Sequence, residues 1–183
     1  LCPLHLSIPP YPFKYEKTTI LRDGTAILIR PIRAEDEPTL RVFFESLSTE
    51  SVFFRFGSRR INMPHENLAR LCQVDYDRDL AFLAVLREEK KEEEIIGDVR
   101  LNKFADFDNA ELSFVVADRW QGKGIGSTLM EYCITVAKEI GIKTLLMEIM
   151  KNNHRMINFG YKYQFLRIPS SREDDMEELV LDL

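Results

Sequence analysis

The segment after residue 120 has the composition of a turn that binds an anion. It follows a β-prone run and leads directly into a helical pattern. Glycines let consecutive backbone N–H groups approach an oxyanion, because no Cβ stands in the way, and the unpaired N–H groups of the first helical turn add their dipole. A lysine in the turn can add positive charge. The predicted anion site comprises Gln121, Gly122, Lys123, Gly124, Ile125, Gly126 and Ser127.

Two known phosphate-binding motifs compete with this interpretation and fit poorly. A P-loop requires Gly-Lys followed by Ser or Thr, and the chain has no such triplet. A dinucleotide-binding turn requires a third glycine where the chain has Thr128 or Leu129, and it should follow its strand closely, whereas residues 117–120 intervene. A glycine-rich turn that binds no ligand stays a third alternative.

Histidine and cysteine offer no further chemistry. The chain has three histidines, His5, His65 and His154, and three cysteines that lie far apart from one another, Cys2, Cys72 and Cys133. No histidine has a partner at a metal-binding spacing, and an odd number of separated cysteines suggests neither a disulfide framework nor a zinc site. We therefore predict no metal, and the cysteine usage fits a reducing cytoplasm.

The composition is that of one globular domain. Of the 183 residues, 25 are Lys or Arg and 30 are Asp or Glu, so the formal net charge is −5. This balance argues against a protein that binds a nucleic-acid backbone. No apolar run approaches the roughly 18 residues of a membrane-spanning helix, and residues 1–10 lack the pattern of a signal peptide. Because the first residue is Leu1, we expect a segment of a longer polypeptide.

The elements that would position the turn form a mixed α+β pattern. Residues 1–16, with four prolines, are predicted to be an extended arm or interdomain linker, and residues 17–183 to be the domain. Strands are predicted at 26–32, 80–86, 95–101, 110–118, 144–150, 163–168 and 179–183. Helices are predicted at 34–46, 64–72, 125–140 and 152–163. The fourth of these strands leads into the anion site.

Charged residues are expected to face solvent in three places. The eight consecutive charged residues at 87–94 are predicted to be a hairpin tip. The acidic residues 173–178 are predicted to be a solvated loop, with attraction of a lysine-rich substrate as the alternative. Arg55, Arg59 and Arg60 lie next to three phenylalanines. A helix surface over core aromatic residues is expected there, and a docking surface for an acidic partner is the alternative.

The turn and its surroundings resemble the GNAT superfamily of N-acyltransferases. The acyl-CoA signature of that superfamily, Gln/Arg-x-x-Gly-x-Gly/Ala, is matched by Gln121, Gly124 and Gly126 between a strand and a helix. Nearly the whole chain is similar to one branch, the protein lysine acetyltransferases that are fused to or paired with acyl-CoA synthetases. That similarity is carried by Tyr11-Pro12, Leu21–Gly24, Ile29–Arg33, Glu35-Asp36, Leu47–Ser51, Arg55-Phe56, Asp75–Arg78, Ala110-Glu111, Asn153 and Met156.

The resemblance implies a fold and a place for acetyl-CoA. It implies a mixed, mostly antiparallel sheet of about seven strands, flanked by about four helices and splayed between its fourth and fifth strands. Acetyl-CoA would lie in the splay. The exposed backbone at Phe114, Val115 and Val116 would pair with its pantetheine arm, and an N–H group there would polarise the thioester carbonyl. Asn153 would hydrogen-bond the same arm, and a helix cap is the alternative role for this residue.

The resemblance also supplies a candidate base. A lysine amine of pKa about 10.4 is neutral roughly 0.04% of the time at pH 7, a handicap of about 4.6 kcal/mol, so a base is expected. Glu111 occupies the position where many superfamily members have a catalytic glutamate. A carboxylate in a partly apolar cleft has a raised pKa that suits this task. The alternative for Glu111 is a surface acid of the strand.

The chain departs from the superfamily at the residue that would protonate the leaving thiolate. Many members have a tyrosine where this chain has Gly160, with Tyr161 beside it, and Gln164 replaces the glycine that usually precedes Phe165. Whether the chain has a general acid is therefore left open by the sequence. A thiolate whose conjugate acid has a pKa near 8.5 can leave unaided, which would make such an acid dispensable.

The sequence thus predicts a cytoplasmic, acetyl-CoA-dependent N-acetyltransferase that acts on a protein lysine, with an acyl-CoA synthetase as the expected acceptor. No nucleic acid, membrane or metal is expected as a partner. Two alternatives stay open. One is acetylation of a small amine, and the other is a CoA-sensing module that binds without turnover, which the missing tyrosine would favour.

Overall fold

The computed structural model describes residues 11–59, 63–87, 93–169 and 175–183. The strands in these ranges are β1 (Lys17–Ile20), β2 (Ala26–Pro31), β3 (Asp79–Leu86), β4 (Glu94–Lys103), β5 (Asn109–Val116), β6 (Thr144–Met150), β7 (Leu166–Ile168) and β8 (Met176–Asp182). The α-helices are α1 (Glu37–Glu45), α2 (Thr49–Phe56), α3 (His65–Cys72), α4 (Ile125–Glu139) and α5 (His154–Lys162). Short 3-10 helices lie at Phe13–Tyr15, Ala34–Asp36 and Asp118–Trp120.

The strands form one sheet in the order β1-β2-β3-β4-β5-β6-β8-β7. Neighbouring strands are antiparallel, except that β5 and β6 are parallel. The structure therefore confirms the predicted mixed, mostly antiparallel α+β sheet. The described residues contain eight strands and five α-helices, where about seven and about four were predicted.

Helices lie on both faces of the sheet because the strands bury apolar side chains on both. On one face, Val99 of β4 belongs to a buried cluster with Leu129 and Cys133 of α4. On the other face, Leu83 of β3 belongs to a second buried cluster with residues of α1, α2 and α3, such as Leu68. The sheet is thus the middle layer of three.

Two elements were missing from the predicted order. β1 is an edge strand that pairs with β2 across the predicted Asp23-Gly24 turn, and its letters KTTI have no alternation of apolar and polar residues. α2 is a third helix between β2 and β3. The sequence analysis expected a helix surface over aromatic residues here but gave no helix with bounds. Ser48 caps α2 by accepting a hydrogen bond from the Ser51 N–H (3.1 Å).

Several predictions fall on residues outside the described ranges. They concern residues 1–10 of the predicted arm with Cys2 and His5, Arg60, most of the charged run at 87–94, and residues 173–174 of the acidic stretch. Residues 11–16 are described, and Tyr15 within them is buried against the sheet. The boundary between an arm and a domain at residue 17 stays a prediction. In the described ranges, no helix has the length and apolar character to cross a membrane.

Candidate functional site

The sheet opens between β5 and β6. These strands pair at three positions, the last of which joins Glu111 to Leu146. Beyond this pair, β5 continues to Val116 and β6 to Met150, but the two strands no longer pair with each other. The structure therefore confirms the predicted splay, with Glu111 at its apex and the edge of β5 as one wall.

The backbone of β5 directs its polar groups alternately to β4 and to the splay. The N–H of Ala117 donates to the Ile96 carbonyl of β4 (2.9 Å), so by the two-residue period of a strand Val115 also faces β4. The backbone groups of Phe114 and Val116 therefore face the splay. Of the three residues predicted to pair with a pantetheine arm, Phe114 and Val116 thus have backbone groups that face the splay, and Val115 has backbone groups that face β4. Pairing with a ligand stays a prediction.

The turn that follows β5 presents backbone donors at the start of α4. Gly122 and Gly124 have φ values of +77° and +95°, which residues with a Cβ rarely adopt. A Cβ built on either glycine would meet no atom within 4 Å. No described side chain caps α4, so the N–H groups of Ile125, Gly126 and Ser127 remain for an anion.

Gln121 connects three elements around this turn. Its amide nitrogen donates to the Val116 carbonyl (3.1 Å) and to the Ser51 hydroxyl of α2 (3.3 Å). Its amide oxygen accepts a hydrogen bond from Arg155 of α5 (2.8 Å). The glutamine of the signature thus brings β5, α2 and α5 together at the turn.

Two lysines stand beside the donors. Lys123 Nζ lies 4.3 Å from the centroid of the Trp120 ring. Lys162 of α5, which the sequence analysis missed, has its Nζ 3.5 Å from the Ser127 hydroxyl. Both charges favour an anion at the start of α4.

Asn153 caps α5. Its side-chain oxygen accepts a hydrogen bond from the Met156 N–H (3.1 Å). This is the alternative role named for the residue, and it leaves the amide nitrogen to donate elsewhere. A bond from that nitrogen to a pantetheine arm stays a prediction.

Glu111 is partly buried at the apex of the splay. Burial raises the pKa of its carboxyl, the neighbouring carboxylate of Glu148 on β6 raises this pKa further, and the guanidinium of Arg55 on α2 lowers it. A raised pKa moves a carboxylate toward the range in which it serves as a base at neutral pH. The surroundings of Glu111 therefore suit the role predicted for it.

The residue at the usual tyrosine position lies in the core. Gly160 is buried in α5, and a Cβ built on it would lie 2.7 Å from Leu179 Cδ1 and 3.0 Å from Met147 Cε. Both neighbours are buried, so an aromatic ring on residue 160 would overlap with side chains that are already packed in the core. A side chain at this position would therefore have to displace Leu179 and Met147 from the core.

Replacing Gly160 with tyrosine is expected to destabilise the protein without supplying an acid. Adding even a methylene group to a well-packed core lowers the free energy of unfolding by roughly 1–3 kcal/mol, and a tyrosine ring is much larger than a methylene group. We expect a lower urea midpoint by circular dichroism and no gain in kcat. Tyr161→Phe removes the hydroxyl of the neighbouring tyrosine, which is 45% exposed, and should leave kcat unchanged. A stable Gly160→Tyr protein with faster turnover would contradict this account.

Two charged residues from other elements lie near the site, and the sequence did not predict that either would act on Glu111. Arg55 on α2 and Glu148 on β6 both act on Glu111. Glu148 lies two residues after Leu146, so its side chain is on the same face of β6. This two-residue spacing could point to Glu148 only once the pairing of β6 with β5 is known.

The described ranges contain no group of three or more His, Cys, Asp or Glu side chains arranged to hold a metal ion.

Comparison with known proteins agrees with this geometry. A family profile described as the acetyltransferase (GNAT) family matches residues 45–164. Acetyltransferase PA5475 of Pseudomonas aeruginosa is 32% identical over 125 residues, which cover 68% of this chain and 67% of that protein. Acetyltransferase Pat of Mycolicibacterium smegmatis is 30% identical over 138 residues, which cover 74% of this chain and 40% of that protein. The crystal structure of the GNAT domain of S. lividans PAT has a TM-score of 0.83 and 30% identity, covering 94% of this chain and 99% of that one.

Proposed function

The chain belongs to the acetyltransferase (GNAT) family, and from this premise we propose that it transfers the acetyl group of acetyl-CoA to a protein lysine within a ternary complex. The observation that carries the proposal is the splay of β5 and β6, with Glu111 at its apex and the glycine turn after β5. The glycine turn suits a phosphate-bearing cosubstrate, and the end of the site at Glu111 suits an amine.

The residues after β5 fit acetyl-CoA. Its pyrophosphate would accept hydrogen bonds from the first N–H groups of α4, because these lack a side-chain cap and face open space at Gly124. Its pantetheine arm would pair with the backbone of Phe114 and Val116, which faces the splay. An N–H group of this strand edge would then stabilise the negative charge that develops on the thioester oxygen.

Glu111 would supply the base. The lysine nitrogen attacks the thioester carbonyl carbon, the carbon–sulfur bond breaks, and the nitrogen loses a proton to the Glu111 carboxylate, directly or through one water. The coenzyme leaves as thiolate, which requires no acid from the Gly160 position. This role requires an ionised Glu111, so activity should fall as the pH drops through its raised pKa.

Two observations favour a protein as the acceptor. Similarity to acetyltransferase Pat of M. smegmatis and to the GNAT domain of S. lividans PAT agrees with the resemblance to the protein lysine acetyltransferase branch. The chain also has a net charge of −5, and the exposed Glu148 lies beside Glu111 at the open side of the cleft. A negative surface attracts a partner that presents lysines. An acyl-CoA synthetase is the acceptor we propose.

The test compares one lysine in two contexts. We expect a folded acyl-CoA synthetase to be acetylated much faster than a short peptide with the same lysine, because a protein acceptor docks through contacts away from the amine. kcat/KM for the protein should fall with salt, since the Debye length shrinks from ~10 Å at 0.1 M to ~3 Å at 1 M. Mass spectrometry of the acceptor measures both rates.

The same assay separates the alternatives. Equal rates on protein and peptide, or preference for a polyamine or an amino sugar, would contradict a protein acceptor and leave the acetyltransferase assignment in place. Tight binding of acetyl-CoA without turnover on any acceptor would instead identify a CoA-sensing module.

A further inference from the structure

The carboxylate of Asp118 ties the start of α2 to the segment between β5 and the glycine turn. It accepts hydrogen bonds from the Ser48 N–H (2.8 Å), the Ser48 hydroxyl (2.7 Å) and the Ser51 hydroxyl (2.8 Å). Burial raises the pKa of the Asp118 carboxyl, but these hydrogen bonds outweigh burial and hold its pKa below the usual value. Asp118 is therefore a charged acceptor at neutral pH, and hydrogen bonds to a charged acceptor are the strong ones.

The Ser51 hydroxyl connects this carboxylate to Gln121. A hydroxyl group has one proton to donate, whereas an ionised carboxylate can only accept. The Ser51 proton therefore lies on the side of Asp118, and the lone pairs of the Ser51 oxygen remain to accept a hydrogen bond from Gln121 Nε2 (3.3 Å). The direction of the chain is thus fixed, because Gln121 donates to Ser51 and Ser51 donates to Asp118.

The Gln121 amide closes the connection between β5 and the glycine turn. Its Nε2 also donates to the carbonyl of Val116, the last residue of β5 (3.1 Å), and its Oε1 accepts from Arg155 of α5 (2.8 Å). Ser51 supports the same orientation of the amide. Acetyl-CoA would contact both the edge of β5 and the first N–H groups of α4, so its affinity depends on how firmly these two elements are held relative to each other.

We propose that Asp118 is a positioning residue for the cosubstrate, which acts through Ser51 to fix the Gln121 amide and so holds the glycine turn beside the edge of β5. The inference rests on the proposed binding of acetyl-CoA at this turn. Asp118 reaches Ser48 and Ser51 across 70 and 67 residues of sequence, so only the folded chain forms this connection. If Asp118 were merely an anchor for α2, its removal would lower stability and leave the Gln121 amide unchanged.

The first measurement is the side-chain amide signal of Gln121, by NMR of the full chain without ligand. The chain has three glutamines, so nitrogen-15 labelling of their side chains gives few signals, and that of Gln121 is identified by its loss in Gln121→Met. Asp118→Asn places an NH2 group among the three donors, and Ser51→Ala removes the connecting hydroxyl. In both variants we expect the Gln121 signal to shift. The signals of Gln73 and Gln164 should stay in place.

The second measurement is the affinity for acetyl-CoA, by calorimetry. Asp118→Asn and Ser51→Ala should each weaken binding roughly two- to tenfold, the net effect of one hydrogen bond. Because the two residues act in series, the double variant should lose no more affinity than either single variant. Ser51→Thr keeps the hydroxyl and should bind as the wild type does. The loss should appear as a higher KM for acetyl-CoA, with little change in kcat.

Asp106→Asn is the matched control. Asp106, like Asp118, is exposed, and its carboxylate also accepts three hydrogen bonds, from the Asp108 N–H (3.0 Å), the Asn109 N–H (3.1 Å) and the Asn109 side-chain amide (2.6 Å). It lies just before β5, at the opposite end of that strand from the glycine turn. Asp106→Asn should therefore leave the Gln121 signal and the affinity for acetyl-CoA unchanged. If Asp118→Asn does not fold, Ser51→Ala carries the test, because it breaks the same chain of hydrogen bonds.

The outcomes separate this inference from the proposed function. An unmoved Gln121 signal in a folded Asp118→Asn or Ser51→Ala protein overturns the inference, even if acetyl transfer is lost. A moved signal with unchanged affinity for acetyl-CoA overturns it too, as do additive losses in the double variant or the same effects in Asp106→Asn. If the expected effects were found and the wild-type chain transferred no acetyl group to any acceptor, the proposed function would be overturned and the role of Asp118 would stand.

Discussion

Glu111→Gln is expected to lower kcat by roughly 10²–10⁴, the usual contribution of a positioned general base. Glutamine keeps the shape of the side chain but cannot take the amine proton. The acid limb of the pH profile, which arises from protonation of the raised-pKa carboxyl, should disappear with it. Stopped-time acetylation assays across a range of pH measure both effects.

Binding of acetyl-CoA provides the control for this variant. Glu111 lies at the apex of the splay, away from the glycine turn, so calorimetry should show little change in acetyl-CoA affinity. If Glu111→Gln kept most of its turnover, the proton would have to leave to water or to another residue, and the role of Glu111 as the base would be wrong.

Gly124→Val is expected to weaken acetyl-CoA binding by roughly 10- to 100-fold, the loss that follows when one hydrogen bond to a charged group, about 1.5–3 kcal/mol, is removed. Gly124 has a φ of +95° and precedes the first residue of α4, so a branched side chain would project into the space in front of the helix N-terminus. Calorimetry with acetyl-CoA gives the affinity.

A glycine at the other end of the same helix gives the matched control. Gly141 has a φ of +81°, and a Cβ built on it also meets no atom within 4 Å. Valine at either position adopts a left-handed conformation that costs about 1–2 kcal/mol. Both variants should therefore lose similar stability toward urea, and only Gly124→Val should lose affinity. Equal affinity in the two folded variants would remove the argument for phosphate binding at this turn.

Regular elements with strong periodicity were predictable from the sequence. The apolar spacing of α4 and the β-prone runs of β3, β4 and β5 led to elements whose ends agree with the structure within a few residues. The glycine turn was predictable because glycines that adopt positive φ values, followed by a helix start, are visible in residues 121–127 themselves. The importance of Gln121 and the splay of the sheet were predicted from the resemblance to the GNAT superfamily.

Elements without local pattern were not predictable. β1 is held by its pairing with β2, since four mostly polar residues have little strand tendency of their own. α2 contains aromatic and β-branched residues of modest helix propensity, and its start is fixed by Asp118, about seventy residues away in the sequence.

The candidate anion site and the candidate base were thus predicted from the amino-acid order, the first from the glycines of the turn and the second from the resemblance. The charged groups that surround the candidate base could not be predicted in this way. Arg55, Glu148 and Glu111 come from α2, β6 and β5, and their effects on one another depend on distances that exist only when these elements pack on one sheet. The same holds at Gly160, where the buried side chains of Leu179 and Met147, not the local sequence, occupy the space that a larger residue would need.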